Sequence, residues 1–174
     1  MLPYYFVFLA IAARFLNPHA GNFNFTPVAA ALLFFGARMP RKQAWIPVTL
    51  FIASDVLLSR LVYGYPLSAS DVVTWVWYAA IILLGSLLAS NAKPLRVVSA
   101  SLVASLSFFA VSNFAVWALW NMYPKTLVGL AECYTMAIPF FRNTLASDLL
   151  FTGAFFGLAA LLPQLSPKAQ SPIA

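Results

Sequence analysis

Apolar stretches of helical length, separated by short polar connections, occupy most of the chain. Turn and capping residues bound them: Asn17-Pro18 closes the first stretch, Thr26-Pro27 opens the second as a hydroxyl cap followed by proline, and Gly64 stops the third. The pattern predicts six helices, over residues 2–16, 26–38, 43–63, 70–90, 95–122 and 143–163. The first two are short for membrane spans, so we expect tilt or a discontinuity between them.

Composition puts these helices in a lipid bilayer. Hydrophobic residues make up 63% of the 174 residues, charged residues make up 8%, and the mean hydropathy is +0.87. Soluble domains carry about 25% charged residues, so this inventory cannot cover a surface that faces water. At roughly 20 residues per span the chain has room for about six. We predict an all-α integral membrane bundle over residues 1–163, followed by a disordered cytoplasmic tail over residues 164–174.

Several classes of protein are excluded by what the sequence lacks. A single cysteine, Cys133, excludes an internal disulfide and a CxxC site, and the single histidine leaves no metal cluster. No nucleophile elbow, HExxH, P-loop or GxGxxG motif occurs, so we predict no enzyme, no metal site and no cofactor. Ten scattered cations form no basic stripe for nucleic acid. The first stretch lacks the basic region of a signal peptide, and we expect it to be retained.

The distribution of basic residues predicts the orientation. With a cytoplasmic N-terminus, six cations fall on the inner side and four on the outer side, and the short 2–3 and 4–5 loops hold five of the six. Cytoplasmic loops carry such an excess of Lys and Arg. We therefore predict a multi-pass protein of the cell inner membrane with both termini cytoplasmic.

Polar residues inside the predicted spans indicate a site. Arg14, Asp55, Asn113 and Asp148 fall at similar depth in the outer half of the bilayer. An ionisable residue there costs roughly 2.5–3.5 kcal/mol unless it is paired or hydrated. They predict a polar cavity that opens outward and binds a ligand. The alternative is structural, with the two acids paired to arginines such as Arg14.

The connection over residues 123–143 is predicted to be a lid over this cavity. It is about twenty residues long, mostly apolar, and interrupted by Gly129 and Pro139. A long loop in a compact domain is usually a functional element, and an apolar one should fold back onto the helices as a cap or a partly re-entrant piece. Elsewhere Gly85-x-x-x-Ala89 and Gly153-x-x-x-Gly157 fit small-residue helix packing, which we expect within the bundle rather than with a partner.

Three segments resemble a known family. They read RFLNPHAGNFNFTPVAA from Arg14, FFAVSNFAVW from Phe108 and YPKTLVGLAECYTMAIPFFRN from Tyr123. They are similar to small bacterial membrane proteins labelled putative transport proteins. Those proteins are grouped with the substrate-binding S-components of energy-coupling-factor (ECF) vitamin transporters. The resemblance runs from Arg14 to about residue 162 and implies a six-helix S-component-like bundle with a ligand pocket near the outer face.

The resemblance also implies which residues bind the ligand. The family pattern His-Pro-Pro-Asn-Phe-Thr-Pro is replaced here by a longer stretch from His19 to Pro27. Motif positions and the polar layer together give the predicted substrate-binding set: Arg14, His19, Asn24, Thr26, Asp55, Asn113, Trp117, Tyr123, Thr126, Cys133, Tyr134, Asn143 and Asp148.

Two functions follow as hypotheses. The first is a subunit that captures a small, vitamin-like or cofactor-like molecule. Because the chain has no ATP-binding segment of its own, active transport would need energy from a partner, a transmembrane coupling subunit with ATPases, or from an ion gradient. The second is a structural or assembly subunit of a larger membrane complex that binds no ligand. The presence of an open cavity distinguishes the two.

Overall fold

A computed structural model describes residues 1–20, 24–64 and 66–165, and within these ranges the chain is helical with no strand. Two short pieces flank the third helix, a 3₁₀ turn at Arg41–Gln43 and a π-helical segment at Leu58–Tyr63. The α-helices are α1 (Leu2–Ala20), α2 (Val28–Arg38), α3 (Trp45–Leu57), α4 (Ala69–Ser86), α5 (Pro94–Leu119) and α6 (Leu127–Leu165).

Four helical stretches are long and apolar enough to cross a membrane, and this bears out a helical membrane protein. They cover Arg41–Tyr63, Ala69–Ser86, Pro94–Leu119 and Leu127–Leu162. The apolar parts of α1 and α2 are shorter than these four, as the sequence predicts.

The short helix α2 forms the centre of the bundle. Every residue from Ala29 to Ala37 is buried, and α2 packs against α1, α4, α5 and α6. A Cβ on Gly36 would lie 2.0 Å from the Ile82 carbonyl oxygen, and one on Gly85 would lie 2.3 Å from that of Leu33. Glycine at both positions therefore lets the backbones of α2 and α4 touch, and the small-residue contact expected at Gly85 is confirmed.

Aromatic rings fill the space between α1, α2 and α6. Phe6 stacks on Phe155 at 3.8 Å between ring centroids, and Phe34 meets Phe156 edge-on at 5.1 Å. The packing expected of Gly153-x-x-x-Gly157 is wrong, because a Cβ on either glycine would meet nothing within 4 Å. That face of α6 points out of the bundle.

Several helix ends differ from their predictions. Helix α1 continues through Asn17-Pro18 to Ala20, since a proline removes only one backbone donor from a last turn. Helix α2 begins after Pro27 with no side-chain cap, so the Thr26 hydroxyl does not cap it. Helix α4 begins at Ala69, one residue before its predicted start, and its cap is Ser68, whose backbone N–H donates to the Asp71 carboxylate at 2.7 Å.

The largest difference lies between α5 and α6. The predicted lid over residues 123–143 is wrong, because the chain is helical from Leu127 onward and Pro139 lies inside α6. Backbone groups within a membrane need internal partners, so an apolar segment of this length gains more as a helix than as a loop. With 39 residues α6 is longer than the hydrocarbon core, at roughly 58 Å against about 30 Å.

Gly129, expected to interrupt this segment, lies within its helix instead. It lies in the first turn of α6, where its N–H donates to the Thr126 hydroxyl at 3.2 Å. A Cβ there would lie 2.1 Å from the Pro124 carbonyl oxygen. Thr126 therefore caps α6, and Gly129 lets the short connection pass close to the helix.

Candidate functional site

Arg14 and Asp55 form an ion pair within the bundle, and each has further partners. The Arg14 guanidinium donates to the Asp55 carboxylate and, at 2.7 Å, to the Ser54 hydroxyl. The other Asp55 oxygen, Oδ2, accepts from the Trp75 indole N–H at 2.9 Å, while Oδ1 also accepts from the Tyr78 hydroxyl at 3.3 Å. We call these five residues the Arg14–Asp55 cluster.

The cluster ties three helices together. Arg14 comes from α1, Ser54 and Asp55 from α3, and Trp75 and Tyr78 from α4, where a spacing of three residues places both on one face. A charge within the membrane is costly unless it is paired. The pairing of Asp55 with Arg14, one of the alternatives left open by the sequence, is present in the structure.

Asp148 on α6 is held differently. Asp148 is 2% exposed, and its Oδ2 accepts a hydrogen bond from the Ser105 hydroxyl at 2.7 Å. Among the described residues no basic group lies within ion-pair distance of this carboxylate, and Oδ1 receives no hydrogen bond. Asp148 is therefore a buried acid whose capacity for partners is only partly used.

Asp148 and Arg14 both line a cavity of about 200 Å³, which we call the central cavity. It lies between α1, the π-helical segment after α3, α4, α5, α6 and the start of α2, and exposed Asn24 and Tyr63 belong to its wall. Its polar lining comprises Arg14, Asn24, Thr26, Thr144 and Asp148, and its aromatic lining comprises Tyr63, Trp77, Tyr78 and Phe108.

A second cavity of about 210 Å³, the side cavity, adjoins the first. The two share Asn24, Phe108 and Thr144, and the side cavity also contains Asn113 in its wall. Asn24 adopts a left-handed backbone conformation with φ of 62°, which asparagine tolerates better than most residues. The Asn113 side-chain amide donates to the Phe109 carbonyl at 2.7 Å, so its nitrogen is engaged within α5.

A family model of unknown function, DUF6580, matches residues 1–170. The chain belongs to the DUF6580 family. No curated protein and no solved structure matches it significantly. The family description assigns no activity, so the function has to be argued from the site itself.

Four members of the predicted set line the central cavity, and several others lie at the contact between α5 and α6 instead. Trp117 donates to the Pro124 carbonyl at 2.9 Å, Cys133 is buried with its thiol 3.4 Å from the Asn113 carbonyl, and the Tyr134 hydroxyl donates to the Ala110 carbonyl at 2.6 Å. These side chains hold the two helices together and line neither cavity.

The remaining members also lie outside both cavities. Thr126 caps α6, Tyr123 is half-buried in the connection before it, and Asn143 is on an exposed face of α6. The side chain of His19 lies outside the described residues. No group of three or more His, Cys, Asp or Glu that could hold a metal occurs in the part of the chain that the structure describes.

Sequence reasoning missed most of the aromatic wall and two polar partners. Thr144 was detectable, because it precedes Asp148 by four residues and so shares its helix face. Trp77 is buried, and its indole N–H donates to the Ser107 hydroxyl at 3.0 Å. Ser105 carries no signal that separates it from the other serines of α5.

Proposed function

We propose that this protein binds a small molecule in the central cavity and acts as the substrate-capture subunit of a membrane transport system. The Asp148 carboxylate supports this proposal, because it lines the cavity together with Arg14, Asn24 and Thr26 and accepts one described hydrogen bond. A buried acid without a cation costs stability. A bound ligand would explain why the fold keeps it.

The arrangement of the helices supports an outward-facing pocket. The cavity draws on residues near the end of α1, on the π-helical segment after α3 and on the start of α2, while its residues on α4 and α5 lie near the middle of those helices. It therefore extends from the middle of the bundle toward one end. With six spans and both termini cytoplasmic, as the basic loops favour, that end is the outer one. Because the chain has no ATP-binding motif, we propose that uptake would be energised by a coupling subunit with ATPases, as in S-component systems.

The alternative of a scaffold without a ligand is less consistent with this interior. A subunit that only holds a complex together should be filled at the depth of its polar layer. Here two adjoining cavities, of about 200 and 210 Å³, interrupt the packing beside Asp148 and Thr144.

A pair of matched variants tests ligand capture. Thr144→Phe fills the junction of the two cavities, whereas Thr135→Phe adds the same ring to an exposed position of α6. Each threonine hydroxyl donates a hydrogen bond to the backbone carbonyl four residues earlier, so the two substitutions remove equivalent hydrogen bonds. Native mass spectrometry of each protein after exposure to a cell extract should show a bound small molecule in the wild type and in Thr135→Phe only.

Equal occupancy in Thr144→Phe, or no bound molecule in any of the three proteins, would contradict ligand capture in this cavity. Folding of each variant is checked by its elution volume and thermal transition in the same detergent.

The orientation has its own test. On a Cys133→Ala background, the thiol of the variant Arg41→Cys, in the loop after α2, should react with a membrane-impermeant maleimide only after the cells are opened. Reaction in intact spheroplasts would show that the topology is the reverse of the proposed one, with the pocket on the cytoplasmic side.

A further inference from the structure

We propose that the ligand of the central cavity is a small organic cation, whose charged group binds between the Asp148 carboxylate and an aromatic wall. The inference rests on the proposed function, since it names the chemistry of the molecule captured there. It follows from the charges, the rings and the size of the cavity.

The charges on the wall leave one negative group uncompensated. Arg14 and Asp55 neutralise each other within their cluster, so together they add no net charge to the cavity. Asp148 has a hydroxyl partner, Ser105, but no described cation. A cationic ligand would supply the missing partner, and charge-assisted hydrogen bonds of this kind are about twice as strong as neutral ones.

Several donors near the cavity are already engaged with partners inside the protein. One terminal nitrogen of Arg14 donates to Ser54 and the other to Asp55. The Trp77 indole N–H donates to Ser107, and the Tyr78 hydroxyl donates to Asp55. An anion would have to approach the Asp148 carboxylate, which has no described counter-charge, so the cavity disfavours it.

With their donors engaged, the aromatic side chains offer ring surface. Trp77 lies 4.8 Å from Phe108 between ring centroids and 6.0 Å from Tyr78, so the three rings form one continuous wall. Aromatic faces attract ammonium groups, most strongly where water is excluded, and aromatic residues around a cation are a common way to bind quaternary ammonium.

The cavity also limits the size of the ligand. Its volume of about 200 Å³ is below the roughly 300–1,000 Å³ typical of pockets for drug-sized molecules. This favours a compact amine or quaternary ammonium over a multi-ring compound.

Calorimetry with matched probes tests the charge. Choline, ethanolamine and guanidinium are titrated into the purified protein in dodecyl maltoside, beside 3,3-dimethylbutan-1-ol, the neutral isostere of choline, and the anion 3,3-dimethylbutanoate. We expect at least one cation to bind saturably. If it is choline, we expect the neutral isostere to bind about tenfold more weakly or worse.

Two variants assign the binding to Asp148. Asp148→Asn should weaken binding of the cation about tenfold or more while leaving the neutral isostere unchanged. Glu132→Gln removes an equal charge from an exposed position of the same helix and should change neither. A cation affinity that Asp148→Asn does not alter would overturn the inference.

Other outcomes separate this inference from the proposed function. If the neutral or anionic probe binds as well as choline and Thr144→Phe abolishes it, the cavity captures ligands but has no preference for cations. In that case the inference falls and the proposed function stands. Failure of every cation to bind also overturns the inference, while occupancy in native mass spectrometry judges ligand capture independently.

Discussion

Asp55 and Asp148 are both acids within the helical bundle, yet their surroundings differ in kind. Asp55 accepts hydrogen bonds from an arginine, a tryptophan and a tyrosine, and both of its oxygens are used. Asp148 is more deeply buried, at 2% exposure, and accepts one hydrogen bond from a serine. Asp55 connects α1, α3 and α4, whereas the Oδ1 atom of Asp148 has no hydrogen-bond partner among the described residues.

The difference shows that burial of a charge does not by itself identify a binding residue. Paired and fully hydrogen-bonded, a buried acid is part of the framework, and removing it strands its partner. Facing a cavity with an oxygen to spare, it is available to a ligand. The two classes should separate in stability measurements, because only the first has partners that depend on it.

Breaking the Arg14–Asp55 pair should produce the largest loss of stability. Asp55→Asn leaves the guanidinium without its counter-charge, at an expected cost of about 3–5 kcal/mol. Unfolding in mixed micelles with increasing SDS measures the loss. The double variant Arg14→Met/Asp55→Leu strands no charge, so it should recover much of this stability; a double variant no better than the single one would contradict the ion-pair account.

Removing one donor to Asp55 should have an intermediate effect. Trp75→Phe keeps the ring but deletes the N–H that reaches Oδ2, and hydrogen bonds to charged groups contribute about 1.5–3 kcal/mol. Trp120→Phe is the control, because its indole donates to a neutral hydroxyl, that of Ser70. Its expected loss is smaller, about 0.5–1.5 kcal/mol. Equal losses in SDS unfolding would mean that the charge on Asp55 adds nothing.

The helical class of the fold could be predicted from the sequence because hydropathy and turn residues act locally. Gly64, for example, ends the third helical stretch with φ of 68°, as expected. The segment after Tyr123 could not, since glycine and proline signal a loop in water but are tolerated in membrane helices. Thr126, which the resemblance implied as a ligand residue, caps α6.

The charged residues of the candidate site could be predicted from the sequence, but its aromatic wall could not. Charged residues in apolar stretches are visible in any sequence, so Arg14, Asp55 and Asp148 stood out. Which acid pairs with Arg14 depends on how α1, α3 and α6 are placed, and that placement arises from packing around α2. The aromatic wall was invisible, because Phe108 and Trp77 differ from core aromatics only in facing a cavity.

Removing the Ser105 hydroxyl should cause a smaller loss of stability than the changes around Asp55. Ser105→Ala removes the one described hydrogen bond to Asp148, and the expected loss is about 1–2 kcal/mol, since the carboxylate stays buried. Ser107→Ala, which removes a neutral partner of Trp77 from the same helix, provides the control. SDS unfolding of both compares them. A loss from Ser105→Ala as large as that from Asp55→Asn would place Asp148 in the framework too.

The smallest expected effect belongs to Asp148→Asn in the absence of ligand. The amide keeps the shape of the side chain and can still accept from Ser105, while no described cation is left unpaired. The free energy of unfolding should therefore stay within about 1 kcal/mol of the wild type, or rise, because an uncompensated charge has left the membrane. SDS unfolding beside Asp55→Asn gives the comparison directly. A loss of about 3 kcal/mol or more would show that Asp148 holds the bundle together as Asp55 does, and the distinction between the two acids would be lost.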